Sequence, residues 1–246
     1  MTPIYSYKNV GDLPPKKKNK KRNKKRKLSE ILKKNQVKLN DSNDSGSENS
    51  YEDDIDDENI DDEVSSRGNH IYFKTDINQD SIERLIKIIE SKNIKFKKFI
   101  TNKMVKFAEP NPLYLHITSY GGDLLASFRA IDAIKRSVIP IFTIVDSYAA
   151  SGATLMSIVG KKRYMTPNSY MLIHQLTSGT MGKWMEIQDD FDNCQTWMDD
   201  IYKLYIANSA MDEAELKRYL SHDLWWKIDK CIELGMVDEP YTQSLN

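Results

Sequence analysis

Apolar positions first fall into an ordered pattern at Ile71-Tyr72-Phe73-Lys74, which reads as a short strand. Ile82, Leu85, Ile86 and Ile89 then recur at three- and four-residue steps, so a helix is predicted from about Asp80, with Asp80 or Ser81 as its cap. Residues 92–109 are Lys-rich, less regular, and end before Pro110 and Pro112. Leu113-Tyr114-Leu115-His116-Ile117-Thr118 alternates as a strand does, with His116 on the polar phase as a structural histidine. Gly121-Gly122 breaks that strand and Asp123 caps a helix whose face carries Leu124, Phe128, Ile131 and Ile134 up to Arg136. The run Val138-Ile139-Pro140-Ile141-Phe142-Thr143-Ile144-Val145 is apolar almost throughout, as in strands buried on both sides of a parallel sheet. A small-residue helix is predicted from Ala153 to Val159. Strands follow at Arg163–Met165 and Tyr170–Ile173, around the turn Thr166-Pro167-Asn168-Ser169.

A loop containing Gly179 and Gly182 leads to a long helix from about Trp184 to Asn208. Ile187, Phe191, Cys194, Met198, Ile201 and Tyr205 form its apolar stripe, suited to a core or to a subunit interface. Two shorter helices are predicted, Met211–Leu220 and Ile228–Leu234, the second stopped by Gly235. The alternation of strand and helix points to an α/β fold with a mainly parallel sheet.

Composition divides the chain. Residues 16–27 are almost all Lys and Arg, and residues 41–63 are dominated by Asp, Glu, Ser and Asn. Such stretches bury too little surface to offset the entropy of ordering, so residues 1–68 are expected to be a disordered charged tail, basic then acidic, and 69–246 one globular domain. Residues 1–63 hold 14 basic and 14 acidic side chains, leaving 22 of each in the body. The body is therefore not a bulk-basic nucleic-acid binder. The basic run by itself fits a solvated tail, a nuclear-localisation signal or a nucleic-acid patch. Two cysteines, both in helical stretches, fit buried thiols and a reducing compartment. Four scattered histidines give no metal-ligand cluster. No run of 18 apolar residues and no secretory h-region occur, so a cytoplasmic protein without a membrane span or cofactor is expected.

The candidate chemistry lies at the ends of the predicted strands. Ser151 sits in Tyr148-Ala149-Ala150-Ser151-Gly152-Ala153, His174 in Met171-Leu172-Ile173-His174-Gln175, and Asp223 in His222-Asp223-Leu224-Trp225. A serine hydroxyl needs an adjacent base to take its proton, an imidazole titrates near neutrality, and a carboxylate holds that imidazole in the useful tautomer. Gly122 and Gly152 would contribute backbone N–H groups to an oxyanion hole. Each residue also has a plain structural reading: tight packing for Ser151, a satisfied core histidine for His174, a turn for the glycine pair and a cap for Asp223.

From Ile117 to about Asp238 the chain resembles the Clp protease proteolytic subunit. Ile117-Thr118-Ser119-Tyr120-Gly121-Gly122 is similar to that family's Ile-Asn-Ser-Pro-Gly-Gly, and Ala149-Ala150-Ser151-Gly152-Ala153 to its Ala-Ala-Ser-Met-Gly. The segment Lys162–Gln175 is similar to its Lys-Arg-Phe-x-Leu-Pro-Asn-Ser-x-x-Met-Ile-His-Gln, and Glu233–Asp238 to its closing Glu-Tyr-Gly-Leu-Val-Asp. The resemblance implies a crotonase-like spiral of ββα units with a long protruding handle helix. It implies Ser151 as nucleophile, His174 as general base, Asp223 as third member, and Gly122 and Gly152 at the oxyanion positions. It also implies stacked heptameric rings that receive unfolded polypeptide from a partner AAA+ unfoldase, which consumes the ATP. The chain departs from the pattern at Tyr120 for proline, at Gly152-Ala153 for Met-Gly, at Leu176-Thr177 for Pro-Leu, and at His222 and Leu224 for arginines. Two functions are thus expected: a serine endopeptidase, or a catalytically silent ring subunit that binds peptides or regulates an active partner.

Overall fold

The structure, a computed structural model, describes residues 63–102 and 110–242. All of them belong to one compact unit, Asp56–Asn246. The chain order is β1 (Val64–Arg67), β2 (His70–Phe73), α1 (Gln79–Asn102), β3 (Leu113–Ser119), α2 (Leu124–Arg136), β4 (Ile141–Ala150), α3 (Gly152–Ile158), β5 (Lys162–Met165), β6 (Tyr170–Ile173), α4 (Trp184–Ala207), α5 (Glu213–Leu220), β7 (Leu224–Trp226), α6 (Ile228–Glu233) and β8 (Glu239–Pro240). The sheet runs β1-β2-β3-β4-β5-β8. It is parallel from β2 to β8, with β1 antiparallel to β2. This is the mainly parallel α/β architecture that the alternating pattern predicts and that a crotonase-like fold requires.

One strand organises the site. The first half of β4, Phe142–Val145, pairs with β5, while its second half, Tyr148–Ala150, pairs with β6. Between the halves Ser147 takes φ 87°, a left-handed conformation uncommon outside glycine, so the strand changes neighbours there. β7 then adds to β6 in the antiparallel sense, with Ile173 opposite Leu224.

Alternation sorts the side chains of β2, β3 and β4 to two faces. Ile71, Phe73, Leu113, Leu115, Ile117, Ile141 and Val145 join the core with Ile82 and Leu85 of α1, Ala130 and Ile131 of α2, and Leu155 and Met156 of α3. On the other face His70 stacks on Tyr114 (4.9 Å between ring centroids) and Tyr72 on His116 (4.7 Å). His70 Nδ1 lies 2.9 Å from His116 Nε2, and His116 Nδ1 faces Asp146 Oδ2 at 3.5 Å. His116 is only 7% exposed, so its polar-phase position serves a buried side-chain network.

Several expectations are corrected. The helix expected to lose regularity at residue 92 continues to Asn102. Phe96 still packs on the core, and the Asn93 side chain exchanges hydrogen bonds with Ser137 Oγ and accepts the Ile139 N–H (3.0 Å). Residues 103–109 of that stretch lie outside the described residues. The tail expected to reach residue 68 gives way earlier, because Val64 is 2% exposed and Gly68, at φ +57°, turns β1 back onto β2. The rest of the tail, including the Lys/Arg run at 16–27, lies outside the described residues. The apolar run at 138–145 becomes a strand that begins at Ile141 and continues to Ala150. Both cysteines are free thiols in helices; Cys231 is buried and Cys194 half-buried. Among the described residues no helix is long and apolar enough to cross a membrane.

Candidate active site

Ser151 follows the last residue of β4 and precedes the first residue of α3. Its backbone sits at φ 54°, ψ −129°, a conformation that costs a non-glycine residue on the order of 1–3 kcal/mol. Three hydrogen bonds hold it there. Its N–H donates to Leu172 O of β6 (2.9 Å), and its carbonyl accepts from Thr154 N (3.0 Å) and Thr154 Oγ1 (2.6 Å). The Ser151 side chain does not cap α3, although it stands at the cap position. A hydroxyl on a sharp strand-to-helix turn, held by backbone contacts, is the arrangement a nucleophilic serine needs.

The glycine turn lies against this serine. A Cβ on Gly121 would stand 2.8 Å from Ser151 Cβ, 2.9 Å from Gly152 N and 2.6 Å from Ala150 O. Gly121 and Gly122 take φ +96° and +142°, so both space and backbone conformation demand glycine here. Ile77, on the loop before α1, pins the turn: its N–H donates to Gly121 O (2.7 Å) and its carbonyl accepts from Asp123 N (2.9 Å). These bonds use groups on either side of the Gly122 N–H, and Gly122 is exposed. Gly152 is buried, and a Cβ there would collide with Ser127 Oγ of α2.

His174 and Asp223 meet through strand register. Because Ile173 pairs with Leu224 in antiparallel strands, the next position of β6 and the preceding position of β7 stand opposite each other. His174 Nδ1 is 3.6 Å from Asp223 Oδ1. That is an ion-pair separation, longer than a hydrogen bond. The histidine side chain is 27% exposed and the carboxylate 79%. With Nδ1 turned toward the carboxylate, Nε2 is the ring nitrogen left for other work. After His174 the chain is anchored by Gln175 N to Leu220 O (2.9 Å) and Leu176 N to Met198 Sδ (3.2 Å), which ties the loop to α5 and α4.

The structure thus brings Ser151 to the glycine turn and to Leu172, two residues before His174, and sets His174 against Asp223. Sequence reasoning missed Ile77, Ser127 and an aromatic group beside the site. Tyr120 stacks at a tilt on Tyr148 (4.3 Å), and Trp225 presents its edge to both (6.4 and 6.5 Å). The departure at Tyr120 was the one signal in the chain that pointed to this group. A cleft of about 310 Å³ between α2 and α4, lined by Asp132, Lys135, Asp200 and Lys203 among others, contains none of the candidate residues. Among the described residues no group of three His, Cys, Asp or Glu side chains is arranged to hold a metal ion.

Comparison with known proteins gives the family. A Clp protease family model matches residues 69–244. Over 138 residues the chain is 30% identical to the ATP-dependent Clp protease proteolytic subunit 2 of Treponema denticola, covering 55% of this chain and 69% of that one. Over 175 residues it is 26% identical to the ATP-dependent Clp protease proteolytic subunit 1 of Chlamydia trachomatis, covering 65% of this chain and 90% of that one. The family match runs from β2 through β8 and spans the serine turn, the glycine turn and the His–Asp pair alike; the chain belongs to the Clp protease family.

Proposed function

We propose that the protein is a serine endopeptidase that hydrolyses peptide bonds of unfolded polypeptides, as the proteolytic subunit of a Clp-like complex. The observation that carries this reading is the opposition of His174 Nδ1 and Asp223 Oδ1 at 3.6 Å, on the strand whose Leu172 carbonyl holds Ser151. In the reaction Ser151 Oγ attacks the scissile carbonyl while His174 Nε2 takes its proton. Asp223 stabilises the imidazolium, and the N–H groups of Gly122 and Gly152 receive the developing oxyanion. The tetrahedral intermediate collapses as His174 returns the proton to the leaving amine. Water, deprotonated by the same imidazole, then releases the acyl group from Ser151. No cofactor enters this scheme.

The 3.6 Å gap and the exposure of Asp223 call for tightening before turnover, as is common when substrate is absent. They also favour a second reading, a ring subunit that is silent by itself and binds peptide or regulates an active partner. Ring assembly has support in α4: Trp184 (75% exposed), Met185 (61%) and Phe191 (67%) leave its first turns apolar and uncovered, while Ile201 and Tyr205 further along are buried. The deciding experiment is labelling by a fluorophosphonate probe, with the mass of the assembly followed by light scattering. Labelling of the wild type and not of Ser151→Ala supports the endopeptidase. Absence of labelling in the assembled state supports the silent subunit.

A further inference from the structure

β7 is a weak support for a catalytic acid. It has three residues and, among the described residues, pairs with β6 alone. Leu224 is 53% exposed, and Asp223 precedes it on a segment that is exposed from Ser221 to Trp225. Three backbone pairings do not fix a carboxylate to the tolerance that orienting an imidazole requires. Something else has to hold this edge.

The aromatic group supplies it. Residues two apart on a strand share a face, so Trp225 lies on the face of Asp223, and Leu172 on that of His174. The register sets Trp225 opposite Leu172 and Ala150 opposite Leu172, which puts Tyr148, two residues before Ala150, on the same face again. The three rings therefore belong to three functional segments: Tyr120 to the glycine turn, Tyr148 to the strand that ends at Ser151, and Trp225 to the strand that begins after Asp223. Their contacts close a triangle, with Tyr120 on Tyr148 and Trp225 edge-on to both. Aromatic edge-to-face packing is directional, so it fixes orientation as well as distance. Burial, with Tyr120 and Asp76 nearby, pushes the Tyr148 phenol above its usual range, so the group adds no charge at neutral pH.

We propose that Tyr120, Tyr148 and Trp225 are positioning residues that lock the oxyanion turn, the nucleophile strand and the acid strand together and so keep Asp223 opposite His174. The inference rests on the endopeptidase reading, and two readouts separate the two. The first is the rate of fluorophosphonate labelling of Ser151 against pH, in wild type, Trp225→Ala, Trp225→Phe, Tyr120→Ala and Asp223→Asn. The second is the NMR signature of the His174 ring, which needs no activity. Trp225→Ala is expected to slow labelling between about ten- and a hundredfold. It should also move the NMR signals of the His174 ring, because the facing carboxylate is displaced, with Asp223→Asn moving them as well. Trp225→Phe should restore both, and the double variant Trp225→Ala with Asp223→Asn should lose no more than Asp223→Asn. Should Trp225→Ala not fold, Tyr120→Ala is expected to show the same paired loss. Folded variants whose labelling rate and His174 ring signals both match wild type would overturn the proposal. So would a rise in KM for peptide with kcat and the ring signals unchanged, which would make the group a substrate-binding wall. A wild type that is never labelled, but whose His174 ring signals change with Trp225→Ala as they do with Asp223→Asn, refutes the endopeptidase reading and leaves the geometric lock standing.

Discussion

At the scale of single residues, the site is built from positions where side-chain identity is forced for steric or electrostatic reasons. Gly121→Ala would drive a Cβ into Ala150 O and Ser151 Cβ at a φ that other residues avoid, costing on the order of 1–3 kcal/mol. Its melting temperature should fall and its labelling rate with it. His174→Ala and Asp223→Asn leave the packing largely intact, so their melting curves should stay close to wild type while peptide turnover drops roughly 10⁴-fold. Turnover within a few-fold of wild type for both would remove them from the mechanism. The His70–His116–Asp146 network predicts a pH effect unrelated to catalysis. Burial, and then the neighbouring His116, hold His70 below its ordinary 6.5. The unfolded chain therefore binds a proton there that the folded chain resists, and stability that is complete above 6.5 declines as pH falls below it. The facing His116 holds the Asp146 carboxyl below its ordinary value, so its contribution too is lost on acidification, at lower pH. Thermal melts from pH 7.5 to 5 should show a falling midpoint, and His70→Gln should flatten the slope. An unchanged slope would mean that the pair does not couple to folding.

At the scale of elements, α3 and α4 are joined behind the serine by one buried polar contact. The Tyr205 hydroxyl, fully buried, shares a hydrogen bond with Thr154 Oγ1, and the same Thr154 holds the Ser151 carbonyl. Thr154→Val removes the partner of a buried phenol and is expected to cost about 1–3 kcal/mol in a chemical-denaturation series. Combined with Tyr205→Phe, the loss should be smaller than the sum of the two single changes. Most of these elements are legible in the chain. The 3.6-residue period of Ile82, Leu85 and Ile89 and the apolar run of β4 each announce a core face, and Asp123 caps α2 as its position suggests, accepting from Ala126 N (2.6 Å). What escapes is short or depends on partners far away. β7 and β8 have three and two residues, too few for a period to register, and β1 becomes a strand only because Val64 finds the core. The far end of α1 is Lys-rich, yet Phe96 and Asn93 find partners that no local pattern reveals. The same holds for the site. Residue type and spacing nominate Ser151, His174 and Asp223, whereas the opposition of the last two depends on a register that β7 creates.

At the scale of the whole molecule, the uncovered apolar stripe at the start of α4 predicts association. Light scattering on the intact protein should give a mass well above 28.5 kDa, and Trp184→Glu with Phe191→Glu should bring it down. A monomeric wild type at micromolar concentration would remove α4 as an interface. The order of the strands has a further consequence. Arg163, at the start of β5, bonds the Asp238 carboxylate and the carbonyls of Asn208 and Gly235, and β5 gains its outer neighbour only when β8 pairs with it. In chain order the serine turn comes before His174, which follows β6, and before Asp223, which precedes β7. A ribosome reading from the amino end therefore makes the Ser151 turn before β6 and β7, and the opposition of His174 and Asp223 can form only once both of those strands exist. Under the proposed mechanism the hydroxyl is therefore left without its base and acid until β7 has paired with β6.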